Sequence, residues 1–282
     1  MQLPQVLRQV ERFAFDAKAD RTENRCMAAE ALIPTTPEEA AGLFGDGGNV
    51  TVLGGGTILL PEIAAGRLHP ARTLLLHRGG LDTLDAGGDV VRIGAMTTIA
   101  ALVEGTDDLL TRFAEHIGDG EVRRTATLGG NLCAFPGIGA QRGDLGAPLI
   151  ALGARVRSAG KGGERTEPVE DFLAGDRRSR LVLEIEYDRP SGTSGFEMMR
   201  RRHAHSFAVA NVAVCETNGG LRVGISGVVP IAVRARAVEQ SRNPDDVLKD
   251  VEPVTDALAS ADYRRKMLPV LVRRALDQLE SA

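Results

Sequence analysis

The sequence has no tryptophan, and two tyrosines and eight phenylalanines bring its aromatic content to only 4%. That scarcity argues against an aromatic-lined pocket or a base-stacking surface. Its three cysteines, Cys26, Cys133 and Cys215, lie far apart and form no C-x-x-C pair. Zinc, or an iron–sulfur cluster held within the chain, is therefore not expected; buried free thiols, packing as small hydrophobes, are. His69, His77 and His116 are scattered without H-x-x-x-H spacing, which excludes the usual helical metal pair. No apolar run approaches the roughly 18 residues of a membrane span, and the first residues lack the apolar core and small-residue cleavage site of a signal peptide. A cytoplasmic protein is expected. The net charge of −4 gives no reason to look for nucleic acid or an anionic membrane as a partner.

What is present is the composition of a globular chain: 43% hydrophobic and 26% charged over 282 residues, enough for two ordinary domains or one large one. "PTTPEEAAGLF" opens a helix with Thr36 as N-cap, Pro37 at the first helical position and Glu39 three after the cap. "NVTVLGGG" is a strand that ends in glycines, and "TILLPEIAAGRL" is helical. "TLLLH" is a strand, and "DVVRIGAMTTIAALV" is a strand running into a helix. Farther on come a glycine-rich loop system, a short apolar helix from Ala147 to Leu152 and an exposed hairpin at "RVRSAGKGGER". From about residue 180 the texture becomes strand and turn, with Asn-Gly-Gly marking a hairpin between "VAVCET" and "LRVGIS". "NPDDVLKDVEPVTDAL" and "SADYRRKMLPVLVRRALDQLE" read as a small helical bundle. The order predicts an α+β protein divided into an N-terminal extension (1–30, with a helix carrying Val6, Val10 and Phe13 on one face), a first domain (31–176) and a C-terminal sheet-and-bundle domain (177–282).

Two stretches invite chemistry. Gly54, Gly55 and Gly56 stand together before Thr57, and "TATLGGN" carries Thr127, Gly129, Gly130 and Asn131. Glycine is costly inside regular structure, so such runs mark either a turn needing positive φ or backbone N–H groups laid bare for an anion. Two such loops far apart in sequence suit a diphosphate gripped from both sides, which carries the reading as far as a phosphate-bearing ligand. Neither loop is a Rossmann G-x-G-x-x-G or a Walker G-x-x-x-x-G-K-[ST]. Asp144, in "RGDLGAP", is either the N-cap of the apolar helix after it or a carboxylate that accepts hydrogen bonds from a ribose or adenine.

"LGGGTILLPEI", "VVRIGAMTTIAAL", "TATLGGNL", "GDLGAPLIALGARV", "VEDFLAG" and "ASADYRRKMLPVLVRRAL" fall in an order and spacing that resembles the flavoprotein (medium) subunit of the xanthine dehydrogenase / carbon monoxide dehydrogenase family of molybdenum hydroxylases, over roughly residues 32–282. The resemblance implies an FAD-binding fold of the vanillyl-alcohol oxidase type, with two α/β subdomains, followed by an antiparallel sheet of three to four strands and a helix bundle. It implies that Leu53, Gly54, Gly55, Gly56, Thr57 and Ile58, with Thr127, Gly129, Gly130 and Asn131, enclose the FAD pyrophosphate. Asp144 would hold the adenosine side, and Val182 and Met198 would sit near the flavin ring. It further implies two partners, an iron–sulfur subunit and a molybdopterin subunit, and electron transfer through FAD to NAD+, oxygen or another acceptor. No acid–base triad is expected, because the cofactor carries the chemistry.

Three positions depart from the family pattern. Ile58 replaces a small polar residue, Met198 a lysine that approaches the flavin, and Ser206 an acid; the segment "LCAFPGIGAQRG" after Asn131 is also longer than usual. A positive charge at 198 would stabilise reduced, anionic flavin, a task that Arg200, Arg201 or Arg202 could take over. "RRRHAHSF" is otherwise a solvated face or a docking patch. These departures keep two alternatives open beside the electron-transfer subunit: a stand-alone FAD-dependent oxidoreductase acting on a small organic molecule, and a degenerate scaffold that no longer binds FAD.

Overall fold

The computed structural model describes residues 29–106, 108–134, 143–201 and 207–280. The expected N-terminal helix, Cys26, and Arg202 to Ser206 lie outside these residues.

Three sheets organise the described residues. In the first, β1 (Glu30–Leu32), β2 (Thr51–Leu53) and β3 (Arg72–Leu75) run parallel in the order β1-β3-β2. Parallel neighbours need a crossover, supplied by the helix Pro37–Phe44 between β1 and β2 and by the helix Leu59–Ala64 between β2 and β3. The first of these starts as its sequence predicts. Thr36 Oγ1 accepts from Glu39 N at 3.1 Å, and the Glu39 carboxylate reaches back to Thr35 N at 2.7 Å.

The second sheet is antiparallel, in the order β4-β5-β8-β6-β7, with β4 (Leu84–Asp85), β5 (Val90–Gly94), β6 (Arg155–Gly160), β7 (Arg165–Pro168) and β8 (Arg180–Asp188). The β6–β7 pair is the expected hairpin. Between β5 and β6 the chain folds into the short helices Ile99–Gly105, Leu109–Ala114, Gly120–Thr125, Leu128–Leu132 and Gly146–Ala151. Their apolar sides meet the sheet in the main core, where Ile93, Leu102, Phe113, Leu128 and Leu149 have no exposed surface. Burying a side chain of this kind contributes about 1.5–3 kcal/mol.

The third sheet, in the order β12-β11-β10-β9, comprises β9 (Ser194–Met199), β10 (Ala210–Thr217), β11 (Gly220–Ser226) and β12 (Val233–Arg234). The β10–β11 hairpin turns at Asn218 and Gly219, and Gly220 follows with φ +99°. Both faces of this sheet are covered, which is why "AVANVAVC" reads as a continuous apolar run rather than an alternation. Val212, Val214, Val223 and Ile225 pack toward the long helix Ala261–Glu280, whereas Ala213 and Cys215 join the main core. On the core side, the helix Gly146–Ala151 lies so close that a Cβ on Gly224 would come within 2.0 Å of Ala147 O.

β8 hydrogen-bonds to β5 and β6, so the change of sheet falls between Asp188 and Ser194. Two sequence expectations need adjusting. The C-terminal helical region is sparser than a bundle: after Val247–Asp250 no helix forms until Ala261, because Pro253 and the turn at Asp256 interrupt the run. Of the described cysteines, Cys215 is buried but Cys133 is exposed. Among the described residues, no helix is long and apolar enough to cross a membrane and no cluster of metal-ligating side chains occurs.

Candidate functional site

The run Gly54-Gly55-Gly56 leaves the end of β2, and each glycine has its own reason. Gly56 has φ +75°, a left-handed conformation that favours glycine. A Cβ on Gly55 would stand 1.8 Å from Thr125 O, and one on Gly54 would stand 2.9 Å from Thr127 Oγ1. The first glycine loop is therefore pressed against the second, backbone to backbone, although the two lie some 70 residues apart. Bringing them together is what the missing side chains achieve.

The hydrogen-bonding states of the two loops differ. Among the described residues, the N–H groups of Gly54, Gly55, Gly56, Thr57 and Ile58 have no acceptor, while Gly56 O is used by Leu60 N at 2.9 Å. In the second loop the amides of Leu128 to Asn131 are spent. Leu128 N bonds Thr97 O at 2.9 Å, Gly129 N bonds Ala95 O at 2.8 Å, and Gly130 N bonds Thr127 Oγ1 at 3.2 Å. Thr127 is thus the N-cap of Leu128–Leu132, and this loop offers shape rather than open amides. The N–H groups without an acceptor are those of Gly54–Ile58; bare backbone N–H groups in a turn are the kind of donor that suits phosphate oxygens.

Asn131 continues the track. Its Oδ1 accepts from Leu145 N at 3.0 Å, and a Cβ on Gly143 would lie 1.9 Å from Asn131 O. Asp144 is held beside it. It does not cap the apolar helix, whose N-cap is Leu145 and carries no side-chain cap bond. Its Oδ1 instead accepts from Asn211 Nδ2 at 2.8 Å, across to β10. Ser226 Oγ accepts from the same amide at 3.0 Å and donates to Asp144 O at 3.2 Å. Burial pushes the Asp144 carboxyl up to about 6, against the opposing pull of the Asn211 amide and the Arg200 guanidinium.

The remaining expected residues sit as follows. Met198 on β9 stands opposite Asn211 on β10 and packs against the main core. Val182 is buried in that core, beside the point where β8 carries an extra residue against β6. Leu53 is buried at the end of β2, and Ile58 precedes the helix Leu59–Ala64 without a side-chain cap bond. Arg201 holds Leu258 O at 3.0 Å through Nε, and Arg200 donates to His116 O at 2.6 Å. Both are committed to the protein backbone, so neither stands in freely for a lysine at 198. Sequence reasoning missed Asn211 and Ser226. The available signal was a lone amide inside "AVANVAV", a strand otherwise fit for burial on both faces.

The family described as the FAD binding domain in molybdopterin dehydrogenase matches residues 27–186, more than half of the chain. The chain belongs to this family. FAD is its cofactor, and it is an FAD-binding medium subunit of the molybdenum hydroxylase type. The nicotine 6-hydroxylase medium subunit of Paenarthrobacter nicotinovorans is 27% identical over 272 residues, covering 86% of this chain and 94% of that one. The carbon monoxide dehydrogenase medium chain of Hydrogenophaga pseudoflava is 27% identical over 278 residues, with coverage of 86% and 94%. The structure of carbon monoxide dehydrogenase from H. pseudoflava lacking the Mo-pyranopterin moiety matches with a TM-score of 0.78 at 27% identity, over 90% of this chain and 97% of that one. Quinoline 2-oxidoreductase from Pseudomonas putida 86, at 21% identity and a TM-score of 0.74, shares the fold.

Proposed function

We propose that this subunit takes electrons from an iron–sulfur partner, itself supplied by a molybdopterin partner, and passes them through FAD to an external acceptor. The observation that carries the reading is the open row of backbone N–H groups at Gly54–Ile58, closed on one side by the Thr125–Thr127 backbone. All five residues are only partly buried, so these N–H groups stay within reach of a ligand as well as of water. The parallel and antiparallel sheets, β1–β3 and β4–β8, are the two α/β subdomains we assign to a fold of the vanillyl-alcohol oxidase type.

In this reading Gly54 to Ile58 receive the diphosphate, and Thr57 adds a hydroxyl. Thr127, Gly129 and Gly130 form the wall against which the cofactor is laid, and Asn131 holds that wall to the segment carrying Asp144. Asp144 accepts from a hydroxyl on the adenosine side. Val182 and Met198 line the apolar end. Bound FAD supplies the redox chemistry, as an acceptor and donor of two electrons. The protein's part is to bind, to orient and to keep water from the apolar end, so no acid–base side chain is required.

The test is an absorption spectrum of the purified chain after incubation with FAD and gel filtration. Retention of the two flavin bands supports the reading. A colourless protein that ignores excess FAD overturns it in favour of the scaffold alternative. Turnover of an organic substrate by the flavin-loaded chain alone would favour a stand-alone oxidoreductase.

A further inference from the structure

Asn211 lies in the middle of β10 with no exposed surface, and its side chain leaves the C-terminal sheet toward the first domain. The surrounding network fixes its orientation. The Asp144 carboxylate accepts at 2.8 Å, so the amide must present Nδ2 to it. Ser226 Oγ, at 3.0 Å, has its one proton committed to Asp144 O at 3.2 Å and therefore accepts from the same nitrogen. Both amide protons are thus used, and Asn211 Oδ1 is buried without a partner among the described residues.

The consequence for Asp144 is positional. Its carbonyl is pinned by Ser226, the following N–H by Asn131, and one carboxylate oxygen by Asn211. The other oxygen, Oδ2, has no partner among the described residues, and Asp144 keeps 7% of its surface accessible. A short carboxylate held at three points has one oxygen and one direction left to offer.

We propose that Asn211, seconded by Ser226, is a positioning residue for cofactor binding: it turns Asp144 so that Oδ2 faces a hydroxyl of the bound nucleotide, and so makes FAD affinity depend on the C-terminal sheet. The proposal rests on the reading that Asp144 contacts FAD. Asn211 touches no cofactor in this scheme; it acts through Asp144. Among the described residues, the charged group facing Asp144 besides this network is Arg200, which follows β9.

A double-mutant cycle on the full chain, freed of flavin and titrated with FAD, tests this. Asp144→Asn and Asn211→Leu should each weaken FAD binding by about tenfold, the worth of roughly one hydrogen bond near 1.4 kcal/mol. The double variant should bind no more weakly than Asp144→Asn alone, because the second residue works only through the first. Should Asn211→Leu fail to fold, the isosteric Asn211→Asp gives a second reading. Its two facing carboxylates share a proton in mild acid and repel when both ionise, so its FAD affinity should fall between pH 5 and pH 8 far more than the wild type's. If Asp144→Asn binds FAD as the wild type does, the assignment of Asp144 to the site is wrong. If Asp144→Asn weakens binding but Asn211→Leu does not, if the two effects multiply, or if Asn211→Asp follows the wild-type profile, the positioning role of Asn211 is wrong.

Discussion

Met198 and Asn211 stand opposite each other across the β9–β10 pair, so their side chains leave the same face of the sheet and share the neighbourhood of the Asp144 carboxylate. Directly opposed residues hold their Cβ atoms about 4.5–5.5 Å apart. The position where the family pattern has a lysine is thus a strand's width from the amide that holds Asp144. With methionine there, no ammonium group opposes the carboxylate from β9, and burial dominates its ionisation.

Met198→Lys should therefore draw the Asp144 carboxyl down from about 6 toward the ordinary carboxylate range. In the FAD-loaded chain it should also raise the reduction potential, because a nearby cation favours the anionic reduced cofactor. The expected rise is on the order of 30 mV, which for a two-electron couple is about 1.4 kcal/mol. Spectroelectrochemical titration checks it. A potential unchanged by the substitution would place residue 198 away from the flavin.

Asp144 also predicts a pH dependence of folding. Its carboxyl rises from an ordinary 3.8 to about 6 on folding. The folded state therefore binds the proton more tightly, and the associated stability is fully present below about pH 4 and lost as pH rises through about 6. The whole contribution is on the order of 2–3 kcal/mol. Asp144→Asn removes it. Urea unfolding of the two proteins should show the variant gaining relative to the wild type as pH climbs from 4 to 7. A constant difference across that range would mean that Asp144 titrates normally.

Two glycine substitutions should act in opposite directions. At Gly55 an added methyl would meet the Thr125 carbonyl at 1.8 Å, and backbone on both sides cannot turn away. Gly55→Ala should part the two loops, cost several kcal/mol of stability, in keeping with overpacking at a rigid contact, and abolish FAD retention. Gly42, inside the helix Pro37–Phe44, has nothing within 4 Å of an added Cβ. Gly42→Ala should stabilise by about 0.5–1 kcal/mol through helix propensity and leave FAD binding untouched. Thermal melts and FAD titrations of the pair check both. A tolerated Gly55→Ala would show that the loops do not need their present approach.

The sequence carried much of this arrangement. The capped helix after Thr36, the β10–β11 hairpin and the paired glycine loops depend on local chemistry, which a window of a few residues displays. What it hid depends on tertiary context. Whether the "TATLGGN" amides are open or spent is decided by Ala95 and Thr97, some 30 residues earlier. Asp144 looks like a helix cap until Asn211, 67 residues away, takes its oxygen. A strand's texture does not say which sheet it joins, so the pairing of β8 with β5 and β6 shows only in the fold. The partnership of Asn211 and Asp144 needed the register of β10 and β11, which no spacing reveals.

The late "S-A-x-Y-R-R" element owes its worth to Arg264, and this gives a last prediction. The guanidinium is fully buried, yet its donors are all used. Nε bonds Val209 O at 3.0 Å, Nη1 bonds Val254 O at 2.6 Å and Ala259 O at 3.1 Å, and Nη2 meets both Asp256 oxygens at 2.9 Å. Burial pushes the Asp256 carboxyl up, but Arg264 and the N–H groups of Leu258 and Ala259 outweigh it and hold the group below its ordinary value. One side chain thus ties the start of the long helix to the 254–259 turn and to Val209, two residues before Asn211. Arg264→Ala takes the donor from Val209 O and Val254 O and leaves the part-buried Asp256 carboxylate without its countercharge, so it should cost about 3–5 kcal/mol, as breaking a buried ion pair does. Arg264→Lys keeps the charge but cannot reach five acceptors with one ammonium, and should recover less than half of the loss. Because Val209 leads into the strand that carries Asn211, both variants should also weaken FAD binding, and the weakening should follow the loss of stability. Chemical denaturation read beside FAD titration checks this; a destabilised Arg264→Lys protein with undiminished FAD affinity would show that the clamp serves the helix and not the site.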